Sequence, residues 1–356
     1  MLKETATMKI TLTNQSHIND VDWDNIPFGR VFSDHMLVMD YANGEWKQAE
    51  ILPFGNISLN PATSALHYGQ SVFEGMKANK AENGDVFMFR PEMNAKRFNE
   101  SCERMCMPTI PVDVFVELIR KLVDIERDWI STKPDYSLYI RPFMFATDDF
   151  IGVKPSETYK FVIFTCPVGS YYTEPVSVKI EEHYTRAASG GVGIAKTAGN
   201  YAAALYPAKQ GQLQGFHQLV WTDAKEHKYI EESGTMNILF VMNGVLVTPS
   251  EDSDTILKGT TKRAVLEVAA SWGMPVEERK VSVEEVIAGI KNGSITEVFG
   301  AGTAATIAHI VKVGFRDEVL ELSSVETRTF SNKVKNYLDD LKSGKVEDTL
   351  GWCLKV

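Results

Sequence analysis

The stretch GGVGIAKTAGNYAAALYP, residues 190–207, surrounds one lysine, Lys196, with glycines and alanines and sets a tyrosine, Tyr201, five positions on. A surface lysine needs no such clearance. An amine that forms a Schiff base does, because desolvation lowers its pKa and small neighbours leave room for a planar ring. Glycine-rich loops with a lysine also occur as solvated turns, so the rest of the chain has to decide.

The chain has 356 residues with 44% hydrophobic composition, enough for a sizeable core and long enough to favour two domains. The formal charge is -10 and the lysines and arginines are scattered, so no basic face points to nucleic acid. A small-molecule partner is expected. The first twenty residues hold no apolar signal core and no later run approaches a membrane span, which makes a cytoplasmic protein without a membrane partner the expectation. Cys102 and Cys106 lack a second ligand pair, and with Cys166 and Cys353 they read as reduced thiols, with no metal site.

Residues 1–168 read as a small α+β domain. Strand-like runs flank a hairpin signal at Asn43-Gly44. Val114, Leu118, Leu122, Ile125 and Trp129 form one helical stripe, and YSLYIRPFMFAT and YKFVIFTCPV read as buried strands. GSYYTEPVS, residues 169–177, combines Gly, Pro and polar residues and is the expected interdomain loop. Residues 178–356 read as a larger mixed α/β domain carrying Lys196, with a second hairpin at Asn243-Gly244 and a helix TTKRAVLEVAASWG closed by Gly273.

Thr260 and Thr261 follow Gly259 at the start of that helix, where free N–H groups and the helix dipole favour a phosphate. FGAGTAAT offers Gly302, Thr303 and Ala304 as further donors after a strand. Two such sites and a lysine point to a phosphate-bearing aldehyde. Pyridoxal phosphate also needs an acid for its ring nitrogen, because the pyridinium is the electron sink. YIEESGTMNILF offers Glu231 and Glu232; strand alternation lets only one face a ring, and the alternative is that both are solvated.

GGVGIAKTAGNYAAALYP, EESGTMNILF, SVFEGMKA, MFRPEMNAKRF, LYIRPF and FGAGTAA together resemble the branched-chain-amino-acid aminotransferases, fold type IV pyridoxal phosphate enzymes of the class IV aminotransferase family. The resemblance runs from about Asp20 to the C-terminus. It implies a D-amino-acid aminotransferase-like architecture of two domains, α/β and α+β, with the cofactor between them. It also implies a homodimer that exchanges amino groups between leucine, isoleucine or valine and 2-oxoglutarate, giving branched-chain 2-oxo acids and glutamate.

By the same resemblance, Lys196 holds the cofactor and moves the proton, Glu232 rather than Glu231 pairs with the ring nitrogen, and Tyr201 bonds the phenolic oxygen. Arg90 joins Thr260, Thr261 and Thr303 at the phosphate. Tyr68, Phe73, Tyr139, Tyr171 and Thr235 line the substrate pocket, and Ile151 and Val153 belong to a loop contributed by the other subunit. Arg141 is matched to the substrate's γ-carboxylate, with the α-carboxylate left to the Thr303-Ala304 turn. Mammalian members carry a CxxC pair where this chain has Ala305 and Ala308, so that redox switch is absent. The competing expectations are a D-amino-acid aminotransferase or aminodeoxychorismate lyase on the same scaffold, or a binding protein that has lost catalysis.

Overall fold

The computed structural model describes residues 8–169 and 174–356. The chain divides into two compact units: Met1–Tyr171 with Ala195–Ala198 and Asp340–Val356, and Tyr172–Ile194 with Gly199–Asp339. The lysine segment and the C-terminal tail therefore group with the first unit, whereas the sequence reading gave both to the second domain. The causes are local. The Phe73 amide donates to the Lys196 carbonyl at 3.0 Å, and the Lys196 amide donates to Ser101 Oγ at 2.9 Å. The tail ends in a strand, Cys353–Lys355, paired antiparallel with Val86–Phe89. Of the expected interdomain loop, Val176 and Ser177 open the strand Val176–Ile180, and residues 170–173 lie outside the described residues.

The first unit is built on a ten-stranded sheet among the described residues. Its centre is the antiparallel pair Ser137–Ala146 and Tyr159–Val168, the two runs expected to be buried strands. His35–Ala42 pairs with Tyr159–Val168 and turns back at Asn43-Gly44, whose φ angles of 58° and 77° are those of a type I′ hairpin. Helices Pro91–Arg104 and Val112–Ile125 contribute Phe98, Phe115, Leu118 and Leu122 to a core with Phe161 and Ile163 of the sheet. The expected stripe is interrupted. The helix stops at Ile125, because buried Glu126 turns inward onto His35 Nδ1 at 2.5 Å, and Trp129 is buried from a separate 3₁₀ turn, Arg127–Trp129.

A second ten-stranded sheet, of mixed parallel and antiparallel pairs, forms the other unit among the described residues. Met236–Met242 is buried along its whole length and pairs with Val245–Thr248 and Ile295–Gly302. Asn243 and Gly244 close the first of these hairpins with φ of 49° and 80°. Val176–Ile180 and Gln218–Thr222 are parallel and joined through the helix Ala198–Leu213. Helix Thr260–Ser271 packs on Ile295–Gly302 and is followed by Gly273 at φ 75°. Among the described residues no helix is long and apolar enough to cross a membrane, and no cluster of metal-ligating side chains occurs.

Candidate active site

Lys196 is fixed through its backbone. Besides the two bonds above, Thr197 bridges Val72 and its hydroxyl donates to the Ser71 carbonyl at 2.7 Å. The amine lies 4.8 Å from the centroid of the Phe73 ring, and the Arg141 guanidinium lies 4.7 Å from the same centroid. Arg141 Nη2 donates to Tyr139 Oη at 2.9 Å, while its buried Nε has no acceptor among the described residues. The first unit thus brings together Lys196, Phe73, Tyr139 and Arg141. Gly75 permits this arrangement, since a Cβ there would lie 2.1 Å from Tyr139 Oη.

Between Phe73 and Gly75 stands Glu74, fully buried. Arg97 grips it with Nε at 2.7 Å and Nη2 at 2.9 Å, Asn94 Nδ2 donates at 2.8 Å, and the Gly75 amide donates at 3.1 Å. Burial pushes its carboxyl up, but the Arg97 guanidinium, the bonds to it and the Lys196 charge outweigh burial and hold it below the usual carboxylate range. Sequence reasoning quoted this motif and passed over the acid. The signal was a carboxylate set between Val72-Phe73 and Gly75-Met76, where a buried acid has to find a cation.

In the second unit the acids expected to alternate do not. Trp221 pairs with Glu232 and Thr222 with Ile230, so Glu231 is the extra residue of a β-bulge. Both side chains are consequently buried, neither being solvated. Glu232 Oε1 accepts from the Leu257 amide at 2.7 Å and from Asn237 Nδ2 at 3.4 Å, and its Oε2 lies 3.1 Å from Arg186 Nε. Glu231 Oε1 accepts from Thr255 Oγ1 at 2.5 Å. Desolvation raises the Glu231 carboxyl above its ordinary value against the pull of Thr255 and Arg186. Arg186 and Asn237 were not found from sequence, since neither stands in a motif that names a partner.

Of the glycines before Lys196, Gly193 packs against the segment that holds this cluster. A Cβ on Gly193 would lie 2.5 Å from Ala187 Cβ and 2.8 Å from Thr255 Cα, so the missing side chain is filled by neighbouring chain. Arg186 also donates through Nη2 to the Thr255 carbonyl. Thr260 and Thr261 are buried in the first turn of their helix, which begins at Gly259 with no side-chain cap among the described residues. Asn237 Oδ1 would meet a Cβ on Gly259 at 1.9 Å, so the acid cluster and this helix start are in direct contact.

The remaining expected residues stand on several separate elements. Arg90 precedes Pro91 in the left-handed region at φ 47°, held by a 2.6 Å bond from its amide to the Trp352 carbonyl, with its guanidinium 4.5 Å over the Trp352 ring. Tyr201 is half-buried in the first turns of Ala198–Leu213. Thr303 and Ala304 form a half-buried turn between Ile295–Gly302 and Thr306–Phe315, and Thr235 is exposed on the Gly234-Thr235 turn. Tyr68 ends a short helix and is exposed, as are Ile151 and Val153. Tyr171 lies outside the described residues.

The model of the family "Amino-transferase class IV" matches residues 71–313. The chain is 43% identical over 340 residues to branched-chain-amino-acid transaminase 1 of Bacillus subtilis (strain 168), covering 94% of this chain and 95% of that one. It is also 43% identical over 360 residues to branched-chain-amino-acid aminotransferase 2 of the same organism, covering 100% and 98%. The crystal structure of the Escherichia coli branched-chain amino acid aminotransferase superposes with a TM-score of 0.73 over 90% of this chain and 98% of that one, at 26% identity.

Proposed function

The chain belongs to the class IV aminotransferases, with their fold type IV architecture, and on that premise we propose that it exchanges amino groups between L-leucine, L-isoleucine or L-valine and 2-oxoglutarate. The observation that carries the proposal is the seating of the Lys196 amine on the Phe73 ring that Arg141 also covers. An amine placed on an apolar ring suits proton transfer at an α-carbon, and a guanidinium on the same ring suits the second carboxylate of glutamate. Near-full-length identity to branched-chain-amino-acid transaminases supports the substrate class.

The residues present fit pyridoxal 5′-phosphate. A helix start without a side-chain cap has first-turn N–H groups to offer an anion, and a buried acid stands in contact with that helix start. When bound, the cofactor supplies the electron sink that stabilises negative charge at the substrate's α-carbon. Lys196 provides the attachment point and carries the proton to and from that carbon. Glu232, fixed by Leu257 and Asn237, keeps a proton on the ring nitrogen, and Tyr201 donates to the phenolic oxygen. Thr260, Thr261, Thr303 and Arg90 bind the phosphate. By the resemblance, Phe73, Tyr68, Tyr139 and Thr235 contact the substrate side chain, Arg141 takes the γ-carboxylate, and the Thr303-Ala304 turn takes the α-carboxylate.

A homodimer belongs to the same proposal. Phe150, Ile151 and Val153 stand 48%, 69% and 89% exposed within four residues, an apolar surface that a second copy would cover. The test is a steady-state panel of L- and D-amino acids with 2-oxoglutarate, together with borohydride reduction and peptide mapping. Turnover confined to branched-chain L-substrates and glutamate, with the pyridoxyl group fixed on Lys196, is expected. Turnover of D-substrates, or fixation elsewhere, overturns the assignment.

A further inference from the structure

Glu231 is the acid that the proposed chemistry leaves without a task, yet the fold buries it beside the one that has a task. A carboxylate on a bulge could have pointed to water at no cost, and burying it without full hydrogen bonding costs on the order of a few kcal/mol. It accepts one bond, from Thr255 Oγ1, and its Oε2 is buried with no partner among the described residues. Arg186 Nε is buried and likewise lacks an aligned acceptor, although it stands 3.1 Å from Glu232 Oε2. The guanidinium is held instead by carbonyls, donating through Nη2 to Thr255 and, at 3.5 Å, to Gly193. Arg186 is therefore anchored by carbonyls and ion-paired with Glu232 without an aligned bond to it, while its charge also acts on Glu231.

We propose that Glu231 is a positioning residue for Glu232: the two adjacent buried carboxylates share one guanidinium, Arg186, and one strap, Thr255 to Leu257, so the charge on Glu231 governs how much negative charge Glu232 presents to a ring-nitrogen proton. The inference rests on the role proposed for Glu232. The charge balance is simple. With Glu231 ionised, two carboxylates divide one cation and the cluster keeps a net negative charge. With Glu231 neutral, Arg186 answers Glu232 alone and cancels it. Thr255 Oγ1 and the Leu257 amide, two residues apart, tie both acids to the same segment, so displacement of one is felt by the other.

The charged groups acting on Glu231 are Arg186, Glu232 and Asp223, the last following the strand Gln218–Thr222 that pairs with the bulge. Desolvation raises the Glu231 carboxyl, so in the folded protein it ionises above the pH at which it ionises unfolded. Its charging thus withdraws stability as pH rises from the unfolded value toward the folded one. Glu231→Gln removes that loss while keeping an acceptor for Thr255.

The experiment compares wild type, Glu231→Gln, Glu231→Asp and Glu232→Gln from pH 5 to pH 9. In the cofactor-free protein, the melting temperature of Glu231→Gln relative to wild type is expected to climb as pH rises. In the holoenzyme, kcat of Glu231→Gln is expected to fall about tenfold below wild type at the alkaline end, the factor that one pKa unit represents, and to converge with it at the acid end. KM is expected to stay unchanged, and Glu231→Asp, which keeps the charge, is expected to recover most of kcat. A kcat ratio that is flat across pH, or a melting difference that is flat across pH, overturns the proposal and leaves Glu231 a packing residue. Glu232→Gln separates the two levels. If it retains wild-type turnover, the role given to Glu232 falls and this inference with it; if it collapses while the Glu231 ratios stay flat, only the inference falls.

Discussion

Arg97 clamps Glu74 with two parallel bonds, Nε to Oε1 at 2.7 Å and Nη2 to Oε2 at 2.9 Å, and both side chains are buried. The pair fixes the corner whose preceding residue, Phe73, holds the Lys196 carbonyl and carries the amine on its ring. A buried ion pair is no certain source of net stability, but breaking one leaves an uncompensated charge.

Glu74→Gln is therefore expected to destabilise the protein by about 3–5 kcal/mol at neutral pH. The sign of its pH dependence follows from a folded pKa held below the ordinary 4.5. Stability from such a group is present above the unfolded value and is lost as pH falls through the folded one. Urea unfolding at pH 7 and again below pH 4 checks this: the gap between wild type and Glu74→Gln should narrow at acid pH, and a constant gap would contradict the clamp.

Lys196→Ala should remove turnover by at least about 10⁴-fold, since the proposed attachment point and proton carrier are both lost. The fold should survive. Ser101, Phe73 and Ser71 hold the segment through its backbone and through Thr197, so the unfolding midpoint should move by less than about 1 kcal/mol. Assay and denaturation of the same purified sample test both halves.

Much of the fold was legible in the sequence because its parts are local. The hairpins at Asn43-Gly44 and Asn243-Gly244 and the helix start at Gly259-Thr260 each depend on two or three adjacent residues, and each stands where it was read. What escaped depends on pairing. No periodicity announces that register slips between Trp221 and Thr222, and that slip is what buries Glu231 beside Glu232. Glu74 and Arg97 stand 23 positions apart, and only the packing of Pro91–Arg104 brings them together. That the tail groups with the first unit was hidden for the same reason, since Cys353–Lys355 carries no mark of its partner Val86–Phe89.

Mild peroxide should leave activity unchanged. All four cysteines are free, and Ala305 and Ala308 stand in the turn and strand after Thr303. Burial pushes the Cys102 thiol up and drives Cys166 to about 11 and Cys353 to about 12, so none of these three offers a thiolate near neutrality. Cys106 is exposed. Thiol labelling of the native protein should modify Cys106 first, and a reversible loss of activity cured by a reductant would show a switch elsewhere.

One pocket has to accept both an apolar branched side chain and the γ-carboxylate of glutamate, and a wholly apolar lining would strand that charge at a cost of several kcal/mol. Arg141 is suited to answer it. Its Nη2 is engaged by Tyr139 Oη and its face by the Phe73 ring, yet its buried Nε has no acceptor among the described residues. The aromatic partners matter for the other substrate, because the Phe73 and Tyr139 rings engage the Arg141 charge when leucine, which has no second carboxylate, is bound. Arg141→Met keeps the stem and removes the charge. It should depress the half-reaction with glutamate or 2-oxoglutarate by about 10²-fold or more, the equivalent of a few kcal/mol, and leave the half-reaction with leucine within about threefold. Stopped-flow absorbance of the cofactor reads the two half-reactions separately. Equal losses in both would place Arg141 at the shared α-carboxylate, and the division between Arg141 and the Thr303-Ala304 turn would have to be reversed.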